Sequence, residues 1–89
     1  MYTPHHLPRF KKDYQKESRS GRDIEDVDVV LRLLIKGYPL PDVYRDHPLK
    51  GRWAGFRECH ARPNLLIIYQ VRGSHIFFGR LGSHAELFE

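Results

Sequence analysis

Two polar stretches of the chain carry the residue types that acid–base chemistry needs. The first, residues 46–64, reads DHPLKGRWAGFRECHARPN and contains His47 and His60 among basic and aromatic side chains. The second, residues 80–84, adds Arg80 and His84. Histidine titrates near neutral pH and can accept or deliver a proton, and the arginine fork binds phosphate oxygens. We expect the two stretches to lie against one another and to face a polyanionic substrate.

Cleavage of RNA without a metal is one reaction that such groups perform. It needs a base for the ribose 2′-OH, an acid for the leaving 5′-oxygen and a cation for the charged phosphorane. An aromatic ring that stacks an unpaired base adds to these. All four requirements are met by His47, His60, His84, Arg80 and Phe88. Two alternatives stay open: a lone histidine is more often a surface or hydrogen-bonded residue, and three histidines can bind zinc, although these form no local ligand motif.

Length and composition limit the protein to a small set of classes. The 89 residues suffice for one domain, residues 1–89, with one modest core. A net charge of +4 suits an anionic partner such as nucleic acid, or belongs to a soluble domain that happens to be basic. The single cysteine, Cys59, excludes an internal disulfide and is expected to be a small buried residue. With no membrane-length apolar run and no signal peptide, we expect a cytoplasmic protein.

The first half of the chain predicts two helices and a stiff loop. Residues 9–22 form a weakly amphipathic basic helix, and residues 1–8 contain at best a short edge strand. Residues 23–38 form the clearest helix, with apolar positions three and four apart, Asp23 as its N-cap and Gly37 at its end. Residues 39–51 hold three prolines and form an ordered loop, which would fix His47 in place.

The second half predicts a three-stranded meander. Strands are expected over residues 52–60, 65–71 and 75–81, joined by tight turns at 62–64 and 72–74. The middle strand, LLIIYQV, is apolar on both faces and is therefore predicted to be central. The tail that follows can close over one end of the sheet.

Strand alternation predicts which of the candidate residues meet. Glu58 and His60 share one face of the first strand, and Arg80 shares a face with Phe78 in the third. If these two faces coincide and Gly79 introduces no bulge, Glu58, His60 and Arg80 converge. His84 then follows just beyond the strand end.

At these residues the chain resembles a known family. The pattern is Asp46-His47-Pro48-Leu49-x-Gly51-x-Trp53-x-Gly55-x-Arg57-x-x-His60, followed by Arg80-x-Gly82-x-His84 and Leu87-Phe88. It is similar to the YafQ branch of the RelE/ParE toxin superfamily over residues 23–89. The resemblance implies an α+β fold, in which two N-terminal helices pack on a twisted, mainly antiparallel sheet of three to four strands.

The resemblance also implies a function and a set of site residues. Family members are toxins of type II toxin–antitoxin systems that cleave mRNA on the ribosome without a metal or other cofactor. A cognate antitoxin neutralises them, here expected in a heterotetramer. By position, the chain matches the family's functional residues at His47, His60, Arg80, His84 and Phe88. We expect His47, His60, Arg80 and His84 to be catalytic. The residues expected to bind the substrate are Glu58, Asn64 and Phe88.

One position departs from the family pattern and two other functions remain open. Asn64 stands where YafQ-like toxins commonly carry Asp, and an amide cannot serve as a general base near neutral pH. A non-catalytic member would only bind RNA, the ribosome or the antitoxin. A ParE-like member would inhibit gyrase, which the three histidines argue against.

Overall fold

A central five-stranded sheet organises the chain. The computed structural model describes residues 1–88 and contains, in that range, strands β1 (Thr3–His6), β2 (His47–Pro48), β3 (Arg57–Arg62), β4 (Leu65–Arg72) and β5 (His75–Gly82), and helices α1 (Pro8–Ser18), α2 (Glu25–Lys36) and α3 (His84–Phe88). The strand order is β1-β5-β4-β3-β2. The prediction that the LLIIYQV strand is central is therefore confirmed. No helix in the described part of the chain has the length and apolar character needed to cross a bilayer.

The predicted count of three to four strands was wrong. Strand β1 adds a fifth strand, parallel to β5, in a sheet whose other pairings are antiparallel. Strand β2 pairs only two residues with β3, His47 with Glu58 and Pro48 with Arg57. A two-residue strand is too short to produce a periodic pattern, so the proline-rich segment was interpreted as a loop. Strand β3 begins later in the chain than the predicted first strand, because Gly51–Trp53 form a turn of 3-10 helix.

Helices α1 and α2 cover one face of the sheet and form the main core with it. From α2 come Val27, Val30, Leu31 and Leu34, at the three- and four-residue spacing that predicted this helix. They pack with sheet residues that include the fully buried Cys59, as expected. Burial raises the pKa of that thiol, so it stays protonated and inert.

The helix ends follow local capping chemistry. Asp23 lies just outside α2, where its Oδ1 accepts a hydrogen bond of 2.8 Å from the Glu25 N–H. Gly37 ends α2 in the left-handed region at φ 78°, which favours glycine. Helix α1 ends at Ser18, four residues earlier than predicted.

A bulge at Gly79 changes which face of the sheet the later side chains of β5 occupy, so the prediction for this strand was wrong. Tyr69 pairs with Phe78 and the preceding Ile68 pairs with Arg80, so Gly79 is an extra residue in the ladder. Phe78 therefore lies in the helix-covered core, whereas Arg80 lies on the opposite face, and the two do not share a face as expected. The bulge nevertheless places Arg80 on the same face as Glu58, because Ile68 pairs with both.

The sheet face opposite α1 and α2, called here the site face, is partly covered by α3. Leu87 is buried there against Leu66 and Ile68. A reciprocal cap starts the helix: the Ser83 N–H donates to Glu86 Oε1 (2.8 Å), and the Glu86 N–H donates to Ser83 Oγ (3.2 Å). The tail was expected over one end of the sheet, but its helical form was not predicted. Its last residue, Glu89, lies outside the described residues.

Candidate functional site

Cross-strand register aligns the candidate residues in rows on the site face. One row runs across four neighbouring strands as His47, Glu58, Ile68 and Arg80. The next row contains His60, Leu66 and Gly82. Neighbouring strands lie about 4.8 Å apart, so the backbones at Glu58 and Arg80, which are two strands apart, lie about 10 Å from each other. A phosphodiester and its flanking sugars fit this spacing.

Glu58 forms the centre of a histidine pair. Its side chain is buried, and its Oε1 lies 3.2 Å from His60 Nε2 and 3.6 Å from His47 Nε2. A buried carboxylate needs charged or hydrogen-bonding partners, and these two rings supply them. Both imidazoles are therefore held with the same nitrogen directed at one oxygen.

The contacts of His47 determine which of its nitrogens carries a proton. Its Nδ1 lies 2.7 Å from the Arg45 carbonyl oxygen, which can only accept, so Nδ1–H is the donor. Nε2 of the same ring faces Glu58 Oε1 at 3.6 Å. Arg45 adopts a left-handed conformation (φ 52°), uncommon for a non-glycine residue, which turns its carbonyl toward the ring. The ring of His47 is thus oriented with Nδ1 toward the Arg45 carbonyl and Nε2 toward Glu58.

His60 is arranged differently, because both of its nitrogens face acceptors. Nδ1 lies 3.3 Å from the Pro63 carbonyl oxygen, and Nε2 lies 3.2 Å from Glu58 Oε1. With Glu58 ionised, both bonds form only if both nitrogens carry protons. His60 therefore has an acceptor at each ring nitrogen, whereas His47 has a carbonyl oxygen at Nδ1 and the Glu58 carboxylate at 3.6 Å from Nε2.

Arg80 is held by a residue that the sequence did not single out. Its Nε donates to Asp13 Oδ2 (2.8 Å) and its Nη2 to Asp13 Oδ1 (3.4 Å), and the Leu81 N–H donates to the same carboxylate (3.0 Å). Both side chains are only 15% exposed. The spacing from Phe10, three residues earlier on α1, was the available signal, because it places Asp13 on the sheet-facing side of a basic helix.

The remaining candidates lie nearby without joining this network. His84 opens α3, with its ring 4.9 Å from that of Phe88 between centroids. Among residues 1–88, no hydrogen bond or ion pair links His84 or Arg80 to the Glu58 cluster. Asn64 is exposed in the turn between β3 and β4, and its side chain has no hydrogen bond within the same range. The structure therefore brings His47, Glu58 and His60 together and leaves Arg80, His84 and Asn64 around them.

The position of His84 depends on how α3 is held, which predicts an acid-sensitive contribution to stability. Lys16 Nζ donates to Glu86 Oε2 (2.7 Å), and this bond, with those from Ser83, lowers the pKa of Glu86 from 4.5 to about 2. A depressed folded-state pKa stabilises the protein above pH 4.5, and that stability is lost as pH falls through about 2. We expect Glu86→Gln to lower the free energy of unfolding by about 0.5 kcal/mol at neutral pH, because the pair is exposed.

Urea unfolding of both proteins at several pH values measures this contribution. The difference between wild type and Glu86→Gln should shrink through the acid range and vanish near the folded-state pKa. No difference between the two proteins at any pH would show that the glutamate acts as a helix cap alone, since glutamine also caps.

The whole arrangement, on the open face of an α+β sheet, has groups that can transfer a proton and groups that can bind an anion. Two histidines on one buried carboxylate and an arginine fixed by Asp13 lie within one pair of cross-strand rows. The model for the family described as bacterial toxin of type II toxin–antitoxin system, YafQ, matches residues 2–89. The chain belongs to this family of bacterial toxins, and the resemblance found in the sequence is confirmed.

Individual relatives agree in sequence and in fold. The mRNA interferase toxin YafQ of Escherichia coli (strain K12) is 37% identical over 81 residues, which cover 90% of this chain and 88% of the relative. The crystal structure of YafQ from E. coli strain BL21(DE3) matches with a TM-score of 0.94 at 32% identity, over 100% of both chains. A copper-bound mutant toxin from Helicobacter pylori matches with a TM-score of 0.93 at 39% identity, over 99% of this chain and 100% of that one.

A complex of the family has also been solved. The chain matches the E. coli DinJ–YafQ toxin–antitoxin complex with a TM-score of 0.91 at 34% identity, over 99% of this chain and 98% of that one.

Proposed function

We propose that this chain is an endoribonuclease that cleaves mRNA by general acid–base catalysis on the site face. The convergence of His47 and His60 on the buried Glu58, in register with Arg80, carries the proposal. It gives one group that accepts a proton and one cation for the phosphate, within the span of a phosphodiester. The name mRNA interferase toxin, given to the E. coli relative, supports the same activity.

The roles follow from which nitrogens are free. His47 Nε2 takes the proton of the ribose 2′-OH, whose oxygen attacks the adjacent phosphorus. His60 and the guanidinium N–H groups of Arg80 that Asp13 does not occupy bind the non-bridging oxygens of the phosphorane. His84 gives a proton to the departing 5′-oxygen, and Phe88 packs against its ring to hold it. The products are a 2′,3′-cyclic phosphate and a free 5′-hydroxyl.

The partners follow from the family and from the charge of the chain. A cognate antitoxin binds this toxin, as DinJ does in the E. coli complex, and we place the two in a heterotetramer. The ribosome presents mRNA in the cytoplasm. A net charge of +4 favours association with ribosomal and messenger RNA.

The proposed role of His47 predicts that RNA cleavage does not require the aspartate that related toxins commonly carry at the position of Asn64. Because His47 Nε2 already supplies a proton acceptor, Asn64→Asp should leave kcat for RNA cleavage almost unchanged, within about threefold. A rise of about a hundredfold, the lower end of what a general base contributes, would instead make position 64 the missing base. Single-turnover cleavage measures kcat, and Asn64→Ser controls for changes in the turn.

Cleavage of a defined mRNA by purified protein tests the function, with and without ribosomes, in EDTA and beside His84→Ala. Cleavage in EDTA that His84→Ala abolishes supports the proposal, and a requirement for ribosomes adds that they complete the site. EDTA matters because a relative has been solved with copper. A folded protein that cleaves nothing but binds RNA or antitoxin would overturn the catalytic proposal. Growth arrest with inhibited supercoiling would favour gyrase as the target.

A further inference from the structure

The site face has a concave feature directly beside Arg80. This feature, called here the Trp53 cleft, is lined by residues 7–9, Trp53, Phe56, Gly79 and Arg80 and has a volume of about 350 Å³. It lies where the β1–α1 connection approaches the segment before β3. The proposed reaction assigns no task to any lining residue except Arg80.

The walls of the cleft are aromatic and apolar. Trp53 and Phe56 meet edge to face, with ring centroids 5.4 Å apart and planes at 81°. Gly79 keeps space open beside them, because a Cβ at that position would lie 3.6 Å from Phe56 Cε2. The Trp53 indole N–H is buried and has no hydrogen-bond partner within residues 1–88. The two rings offer a surface that suits a flat aromatic ligand.

The rim of the cleft is cationic. Arg80 already pairs with Asp13. Arg9 is exposed in the first turn of α1, and no carboxylate among the described residues lies within 4.0 Å of it. A nucleotide joins a planar base to an anionic phosphate, which matches aromatic walls beside a free guanidinium. An apolar side chain of a protein partner would fit the walls but would leave Arg9 without an anion.

We propose that the Trp53 cleft binds one base of single-stranded RNA next to the scissile phosphate, while Arg9 binds the following phosphate. The inference rests on the proposed function, since it places the scissile phosphate at Arg80. It assigns Trp53 and Phe56 to base stacking and Arg9 to backbone contact. The cleft therefore holds the RNA strand in register with the acid–base groups.

The chain offers a local probe, because Trp53 is its single tryptophan. The experiment titrates the full protein with a short 2′-O-methyl RNA, which lacks the attacking hydroxyl, and follows both tryptophan fluorescence and the anisotropy of a label on the RNA. A fully abasic oligomer of the same length and charge is the comparison. We expect the RNA to quench the fluorescence, and the abasic oligomer to bind about five- to a hundredfold more weakly without quenching.

Two variants test the parts of the cleft separately. Phe56→Leu keeps an apolar side chain but removes a ring, and should weaken RNA binding at least about fivefold without altering binding of the abasic oligomer. Arg9→Gln should weaken binding of both oligomers and lower the salt dependence by about one phosphate contact. Arg19→Gln, at the other end of α1, is the matched control and should leave binding unchanged. Thermal unfolding by circular dichroism verifies that each variant is folded.

The outcomes separate this inference from the catalytic proposal. RNA that binds without quenching, or Phe56→Leu that binds RNA like wild type, overturns the cleft even if cleavage is normal. Quenching by an antitoxin but not by RNA also overturns it, in favour of a protein side chain. A protein that cleaves no RNA yet shows base-dependent quenching loses the catalytic proposal and keeps the cleft as an RNA site.

Discussion

Replacing His84 by glutamine is expected to lower kcat for RNA cleavage by about 10²–10⁴-fold, the usual contribution of one general acid. KM should change little, because the side chain is exposed at the start of α3 and forms no hydrogen bond within residues 1–88. Glutamine retains polarity and similar size but has no proton to give near neutral pH. Quenched-flow cleavage of a defined mRNA measures the change. His6→Gln is the control, since register places that histidine on the helix-covered face.

The leaving group decides whether His84 acts as an acid. A nitrophenolate departs without being protonated, so a uridine phosphodiester with this leaving group needs no general acid. His84→Gln should therefore cleave it nearly as fast as wild type does. An equal loss on both substrates would mean that His84 holds the substrate or the helix and does not protonate the leaving oxygen.

Replacing Arg80 by lysine is expected to lower kcat by about 10²–10³-fold, although the charge is kept. The guanidinium uses Nε and Nη2 on Asp13, which leaves other N–H groups in the same plane for phosphate. A lysine ammonium has no second set of donors fixed in a plane, so it satisfies the carboxylate or the phosphate, but not both in the same geometry. Single-turnover kinetics with saturating RNA isolates this effect from binding.

Asp13→Asn tests the positioning role behind that prediction. It leaves Arg80 in place but removes the anion that orients it, so kcat should fall by less than in Arg80→Lys while KM is nearly unchanged. Asp13→Glu should restore part of the loss. An Arg80→Lys protein with wild-type kcat would show that position 80 supplies charge alone.

Much of the fold could be predicted because strong patterns coincide with buried elements. The apolar spacing of α2 and the two-sided apolar run of β4 each reflect burial, and both lie where the sequence placed them. The turns at Pro63 and Gly73 follow from residue types that favour reversal. The strand parity of Glu58 and His60 placed these two residues on one face, where they are in contact.

The rest depended on interactions between distant parts of the chain. The bulge at Gly79 moves each later side chain of β5 to the opposite face of the sheet. Alternation of residue types alone cannot reveal which glycine is the extra residue. The contact of Asp13 with Arg80 joins residues 67 positions apart, across an element packing that no local pattern encodes. Strand β2 and the five-residue α3 are too short to show a periodic sequence pattern, so only the folded structure reveals them.

The parallel pairing of β1 with β5 has a consequence for how the toxin is made. Thr3 pairs with His75, so this edge of the sheet cannot form until the ribosome has synthesised β5. A nascent chain that ends before β5 also lacks Arg80 and His84. Such long-range pairing slows folding, and the β1 edge forms only after β5 is available. The ribosome that translates this chain therefore carries it without the candidate residues of β5 and α3 until those two segments have been made.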